Sequence, residues 1–224
     1  MDDRELAAQY LPVFYQDKKE PFPIEAIGFT IFRETACSNS CSRTIRVEKD
    51  VMLAIEYAIY FDFDIQHLYD LEHAFVYVRK DGSIQNVEAS FHGCFYRSMI
   101  PHDLKYQDHT HPILYLQPGK HGIMPAPRYF YLCTDLYEVC NILAGNDGFL
   151  VAPMFEGELH TDPETDDMVR TYIRAAYSFD PAMDFIPAPF SRENMVEYSK
   201  LEEMIPQRME SWLEKIQAGG FTNG

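Results

Sequence analysis

The chain has 224 residues, 46% of them hydrophobic and 14% aromatic, enough to bury the core of one large domain. Nineteen basic residues stand against 35 acidic ones, and the resulting formal charge of −16 repels phosphates, so nucleic acid and acidic membrane surfaces are excluded as natural partners. Five cysteines, an odd number, do not make a disulfide framework and point to a reducing compartment.

The opening "MDDRELAAQYLPVF" is acidic where a secretory signal would be basic, and no apolar run approaches the length of a membrane span. A cytoplasmic location is the expectation. From about Ile27 to Leu132 the pattern is that of strands. "GFTIF" and "TIRVE" are short candidates, and "MLAIEYAIYFDFD" alternates for longer. Asp81-Gly82 inside "FVYVRKDGSIQNVEASF" is a hairpin signal, and "HPILYLQPGKHG" gives a strand stopped by Pro118 and Gly119.

After Leu132 the spacing turns helical. "CTDLYEVCNILAG" ends on Gly145, "PETDDMVRTYIRAAYSF" carries a proline near its start, and "SRENMVEYSKLEEMIPQRMESWLEKIQAGG" reads as a helix interrupted at Pro206. Strands followed by helices predict an α+β fold: an antiparallel β-sandwich with flanking helices and a helical C-terminal segment. One domain over 1–224 is expected, with a β-rich core at 27–132 and a mainly helical extension at 133–224. The stripe of Met195, Leu201, Met204, Met209, Trp212, Leu213 and Ile216 is a packing face or a homodimer contact.

Twelve positions, Asp62 to His73, hold four carboxylates and two imidazoles between segments that read as buried strands. Alternation sorts them. Asp62 and Asp64 share a face with Glu56 and Tyr60, whereas Asp70 and Glu72 share one with Ala74, Val76 and Val78. His73 falls on the opposite face with Phe75 and Tyr77. If the two strands pair, Asp64, His67, Asp70 and Glu72 converge, and like charges held together need a cation or a raised pKa. Oxygen ligands with one imidazole suit Mg²⁺, Ca²⁺ or Mn²⁺ better than Zn²⁺. The alternatives are a hydrogen-bonded polar network, or Asp62 and Asp64 capping a strand in solvent.

The run Tyr57-x-x-Tyr60-Phe61-x-x-Asp64, followed by His67-x-x-Asp70-x-Glu72, resembles the segment leading into the Gly-His-Arg-His-Asp-Trp-Glu heptapeptide of necrosis- and ethylene-inducing-peptide-like proteins. The resemblance covers about residues 56–122 and implies a β-sandwich flanked by helices, with Asp64, His67, Asp70 and Glu72 around a divalent cation in a cavity. "VEASFHG" resembles that family's Ser-x-His-Gly element and "HPILYLQPGKHG" its histidine-bearing strand, which implies that His92 and His121 lie near the cavity. Asp70-Leu71-Glu72-His73 is also similar to the Asp-Trp-Glu-His pattern of vacuolar-sorting-62-like domains. The departures are Gln66 for the leading glycine, Tyr69 for the second histidine and Leu71 for the tryptophan. The family is secreted, disulfide-bonded and directed at glycosylated lipid, so only its fold and cation site are carried over.

Two functions follow as expectations, with a purely structural ion as the third reading. One is a cytosolic metal-dependent hydrolase in which His73 or His92 moves protons. The other is a non-catalytic module that binds a sugar or polar head group beside a structural metal, with Asp62 and His121 among the contacts. Two further sets carry less. His102, His109 and His111 crowd one loop that reads as solvated surface, and Cys37 and Cys41 have no second close pair with which to complete a zinc site.

Overall fold

The alternating segments become strands, and the computed structural model, which describes residues 2–219, arranges them in two main sheets around one apolar core. In chain order the elements are helix α1 (Asp3–Tyr10), β1 (Val13–Asp17), β2 (Ala26–Phe32), the short pair β3 (Ala36–Cys37) and β4 (Thr44–Ile45), and the long strands β5 (Val51–Phe63) and β6 (His67–Arg79). Then come β7 (Ile84–Phe91), β8 (Cys94–Arg97), β9 (Lys105–Gln107), β10 (His111–Leu116), β11 (Ile123–Met124), β12 (Gly148–Phe149), α2 (Pro163–Tyr177), β13 (Phe185–Pro187), β14 (Met195–Glu197) and α3 (Tyr198–Gln217).

The larger sheet runs β14-β2-β5-β6-β7-β8 with β12 beside β6; the smaller runs β11-β10-β1-β13 with β9 beside β10. Hairpin neighbours pair antiparallel, as the Asp81-Gly82 turn predicts: Gly82 sits at φ 81° and closes β6 onto β7. Among the described residues three pairings are parallel, namely β1 with β10, β12 with β6 and β14 with β2. Each joins segments far apart in sequence, where no hairpin dictates direction.

β5 and β6 are buried along nearly their whole lengths because both faces of the larger sheet are covered. One face meets the smaller sheet, with Ile59, Val76, Leu114 and Ile123 all in the common core. The other carries α3 over β2, at Gly28, where a Cβ would stand 2.8 Å from Leu201 Cδ2. Beside it the β3–β4 hairpin closes a second small cluster of Phe32, Ile45, Ala54, Phe75 and Tyr77.

Two expectations are corrected. "CTDLYEVCNILAG" is a chain of turns rather than a helix. Its amide bonds reach back three, four or five residues, and Gly145, at φ 73°, donates its N–H to Ile65 in the β5–β6 loop. α3 continues through Pro206, which is buried with Leu201, Ile205 and Met209; packing of this stripe outweighs the single N–H that proline removes. Residues 133–219 also supply β12, β13 and β14, so this stretch completes both sheets as well as adding helices.

Candidate functional site

The register of β5 against β6 sets the site: Phe61 lies opposite Asp70 and Ile59 opposite Glu72. Asp70 and Glu72 therefore share the inner face with Ala74, Val76 and Val78, and His73, opposite Ala58, points the other way, as alternation predicts. The loop between the strands is pinned from two sides. Ile65 donates its N–H to Gly119 O at 2.7 Å, and its own carbonyl accepts from Gly145 N at 2.7 Å. This holds Asp64 and His67 over the ends of the strands.

Asp64, His67, Asp70, Glu72, His73 and His92 all line one cavity of about 380 Å³, together with Lys120, Ser90 and Cys41. Tyr69, His92 and His121 each adopt left-handed backbone, at φ 61°, 49° and 55°. Non-glycine residues hold that conformation where the surrounding structure imposes it, commonly at binding sites.

Asp64 is 2% exposed and accepts from Lys120 Nζ (2.9 and 3.0 Å to its two oxygens) and from Gln66 N (2.6 Å). Burial alone would raise its pKa, but His67, Lys120 and His121 outweigh that and hold it below the ordinary carboxylate value. Asp70 accepts from Leu71 N at 2.8 Å and from His121 Nδ1 at 3.0 Å. Nε2 of His121 lies 3.5 Å from Glu20 Oε1. The ring of His121 is fully buried, which favours its neutral form, yet Asp70 and Glu20 prevail and raise its pKa to about 10.

Glu72 has a different environment. Its carboxyl accepts from Ser90 Oγ, but burial, then the neighbouring charge of Asp70, raise its pKa to about 8. Of Asp64, Asp70 and Glu72 it is the one that makes no direct ion pair among the described residues; the charge of His121 acts on it only from a distance. The carboxylates also stand apart: among the described residues, no three His, Cys, Asp or Glu donors at this end lie within 4.8 Å of one another. An all-protein cage is thus not formed, whereas Mg²⁺, which keeps several waters and uses one or two carboxylates, fits such spacing.

Asp62 is placed elsewhere. It faces α3, where Arg208 donates Nε and Nη2 to it at 2.7 and 2.6 Å and reaches Glu25 at 2.6 Å. His121 lies beneath the cavity and orients Asp70 rather than opening onto the space itself. His92 donates Nε2 to Gln117 Oε1 at 2.7 Å. The histidine-rich loop does not converge on a ligand set: His111 donates to Leu11 O at 2.8 Å, and His102 and His109 occupy left-handed turn positions. Sequence reasoning missed Lys120, although it sits in the same "PGKHG" turn as His121, and Ser90, although it is the serine of the quoted Ser-x-His-Gly element; it also missed Glu20, for which no local signal exists. All five cysteines are free thiols.

No family model matches the chain, and no curated protein matches it. Among solved structures, the crystal structure of a triple mutant of NLPPya is similar to it at 18% identity and a TM-score of 0.35, over 53% of this chain and 69% of that one. That is a weak likeness of chain path over about half of the protein.

Proposed function

We propose that the cavity binds a hydrated divalent cation, Mg²⁺, Ca²⁺ or Mn²⁺ in preference to Zn²⁺, through Asp70 and Glu72 with Asp64 and His67 at its edge. The occupied site then takes up a small polar or carbohydrate-like ligand. The observation that carries this reading is Glu72, a buried carboxyl that lines the cavity beside Asp70 and makes no direct ion pair among the described residues. His121 favours its charged form only from a distance, and burial and Asp70 outweigh it. Asp64 and Asp70, by contrast, already have Lys120 and His121. A divalent ion bound here would neutralise the Asp70–Glu72 pair and offer its remaining positions to ligand oxygens. Support for binding over hydrolysis comes from the proton carriers: His92 is engaged by Gln117, and His73 lies on the other face of the sheet from Asp70 and Glu72. Five free thiols support a reducing, cytoplasmic setting.

Calorimetric titration of the metal-free protein with Mg²⁺, Ca²⁺ and Mn²⁺ tests the first step. Asp70→Asn and Glu72→Gln should each weaken binding at least about tenfold, and Asp62→Asn should leave it unchanged. Equal binding by all four proteins would overturn the assignment. Screening the Mg²⁺-loaded protein against a sugar panel and against phosphoester, ester and glycoside substrates separates the ligand-binding reading from a hydrolase, which would show turnover abolished by chelator.

A further inference from the structure

We infer that Cys41, Glu56 and His73 form a second metal site, suited to Zn²⁺, on the outer face of the larger sheet beside the same cavity. The site uses none of the residues of the proposed cation site and does not depend on that reading.

The three residues come from distant segments that the fold brings together. Glu56 on β5 and His73 on β6 share the outer face of the larger sheet, because Thr30, Glu56 and Phe75 occupy one register row and Ala58 and His73 the next row of that face. Cys41 is delivered from above by the β3–β4 loop, which is closed by a bond from Ser38 N to Arg43 O at 2.7 Å. Arg43 clamps this loop to the sheet, its guanidinium 4.9 and 4.7 Å from the ring centroids of Phe75 and Phe95.

One donor atom from each residue lies within 4.8 Å of the others, and Cys41 Sγ is 3.5 Å from Glu56 Oε1. Zn–S bonds of about 2.3 Å and Zn–N or Zn–O bonds of about 2.0–2.2 Å place tetrahedral ligand atoms roughly 3.5 Å apart, so small side-chain rotations complete the geometry. Ser38 and Ser40 hydroxyls donate to Glu56 at 2.8 and 2.6 Å, orienting the carboxylate as outer hydrogen bonds orient metal ligands elsewhere.

The second observation is His73 itself. His73 is only 6% exposed, and Nε2 is a buried nitrogen with no hydrogen-bond partner. A ring nitrogen withdrawn from water and left unpaired lacks a partner that a metal would supply. A thiol–carboxyl hydrogen bond explains Cys41 and Glu56 but leaves that nitrogen orphaned. Sulfur plus imidazole plus one carboxylate selects Zn²⁺ over Mg²⁺ or Ca²⁺. Three protein ligands leave a fourth tetrahedral position. Cys41 and His73 both line the cavity, so water or a small anionic ligand would have access to a metal held here.

Zinc competition against a chromophoric chelator, and Co²⁺ substitution followed by absorption, both with a phosphine reductant present, test the site in the full chain. The expected results are one tightly held Zn²⁺ and a thiolate-to-cobalt charge-transfer band. Cys41→Ser should lose the band, and Cys41→Ser and His73→Gln should each bind Zn²⁺ at least about tenfold more weakly. Cys37→Ser/Cys94→Ser and Asp70→Asn should keep both signals, so failure here is distinguishable from failure of the Mg²⁺ site. Circular dichroism confirms that Cys41→Ser, a near-isosteric change, is folded. Absence of Zn²⁺ binding, unchanged affinity in Cys41→Ser and His73→Gln, or a cobalt spectrum without the thiolate band would each overturn the site.

Discussion

The imidazole of His121 lies flat on the ring of Phe61, centroids 3.7 Å apart and planes within 6°, while its Nδ1 donates to Asp70. An aromatic floor and two carboxylates thus hold one buried cation directly under the candidate site. Phe61 is on β5, Asp70 on β6 and His121 in the turn after β10, so this contact ties the two sheets together at the cavity.

The first prediction concerns pH. His121 is raised from 6.5 to about 10, so in metal-free protein its contribution to stability is fully present below about 6.5 and is lost as pH rises through about 10. His121→Gln should remove it, lowering stability at pH 6 by about 3–5 kcal/mol because Asp70 and Glu20 lose a buried partner. Denaturant melts between pH 6 and 10 should converge for the two proteins as pH rises. Parallel curves would sink the assignment of charge to His121.

Glu72 gives opposite signs with and without metal. Its pKa is raised from 4.5 to about 8, so the folded state keeps a proton that the unfolded chain releases, and stability falls with rising pH across that window by up to about 1.4 kcal/mol per pH unit. Without metal, Glu72→Gln should become progressively more stable than wild type between pH 4.5 and 8. With Mg²⁺ the wild type should gain more than the variant, since only the native state binds the ion. Thermal melts at pH 7.5 with Mg²⁺ and with chelator check both arms.

Arg208 bridges α3 to Asp62 and Glu25 with charge-assisted bonds of 2.6–2.7 Å. Arg208→Ala should destabilise by about 1–3 kcal/mol, the range for leaving a largely buried carboxylate unpaired, discounted for the partial exposure of the guanidinium. Cation affinity should not change, because Asp62 lies outside the cavity. Urea titration alongside calorimetry measures the two effects separately.

Gly145 should tolerate no side chain. A Cβ there would stand 2.3 Å from Arg170 O, on backbone at φ 73°. Gly145→Ala should cost about 1–3 kcal/mol. Since Gly145 N supports the Ile65 carbonyl beside Asp64, the change should also weaken Mg²⁺ binding. An alanine variant with wild-type melting and affinity would show that this turn does not position the loop.

Alternation placed Asp70 and Glu72 inward and His73 outward, with the Asp81-Gly82 turn closing β6 on β7. These are properties of neighbouring residues, fixed by a two-residue period and by glycine's freedom at positive φ, so they are written locally. Alternation's placing of Asp64 on the face of Asp62 is corrected: β5 ends at Phe63, and Asp64 in the loop turns to the cavity. Which charges compensate which carboxylates was decided by the tertiary structure. Lys120 reaches Asp64 across 56 positions, His121 reaches Asp70 across 51 and Arg208 reaches Asp62 across 146. The same holds for Cys41, which reads as an ordinary thiol until the β3–β4 loop folds onto Glu56 and His73. Asp62 and Asp64 share one short sequence yet answer to different partners, one under a helix and one over a cavity. The reason is physical: strand periodicity is a short-range steric property, whereas pairing of buried charge depends on which distant segment packs there.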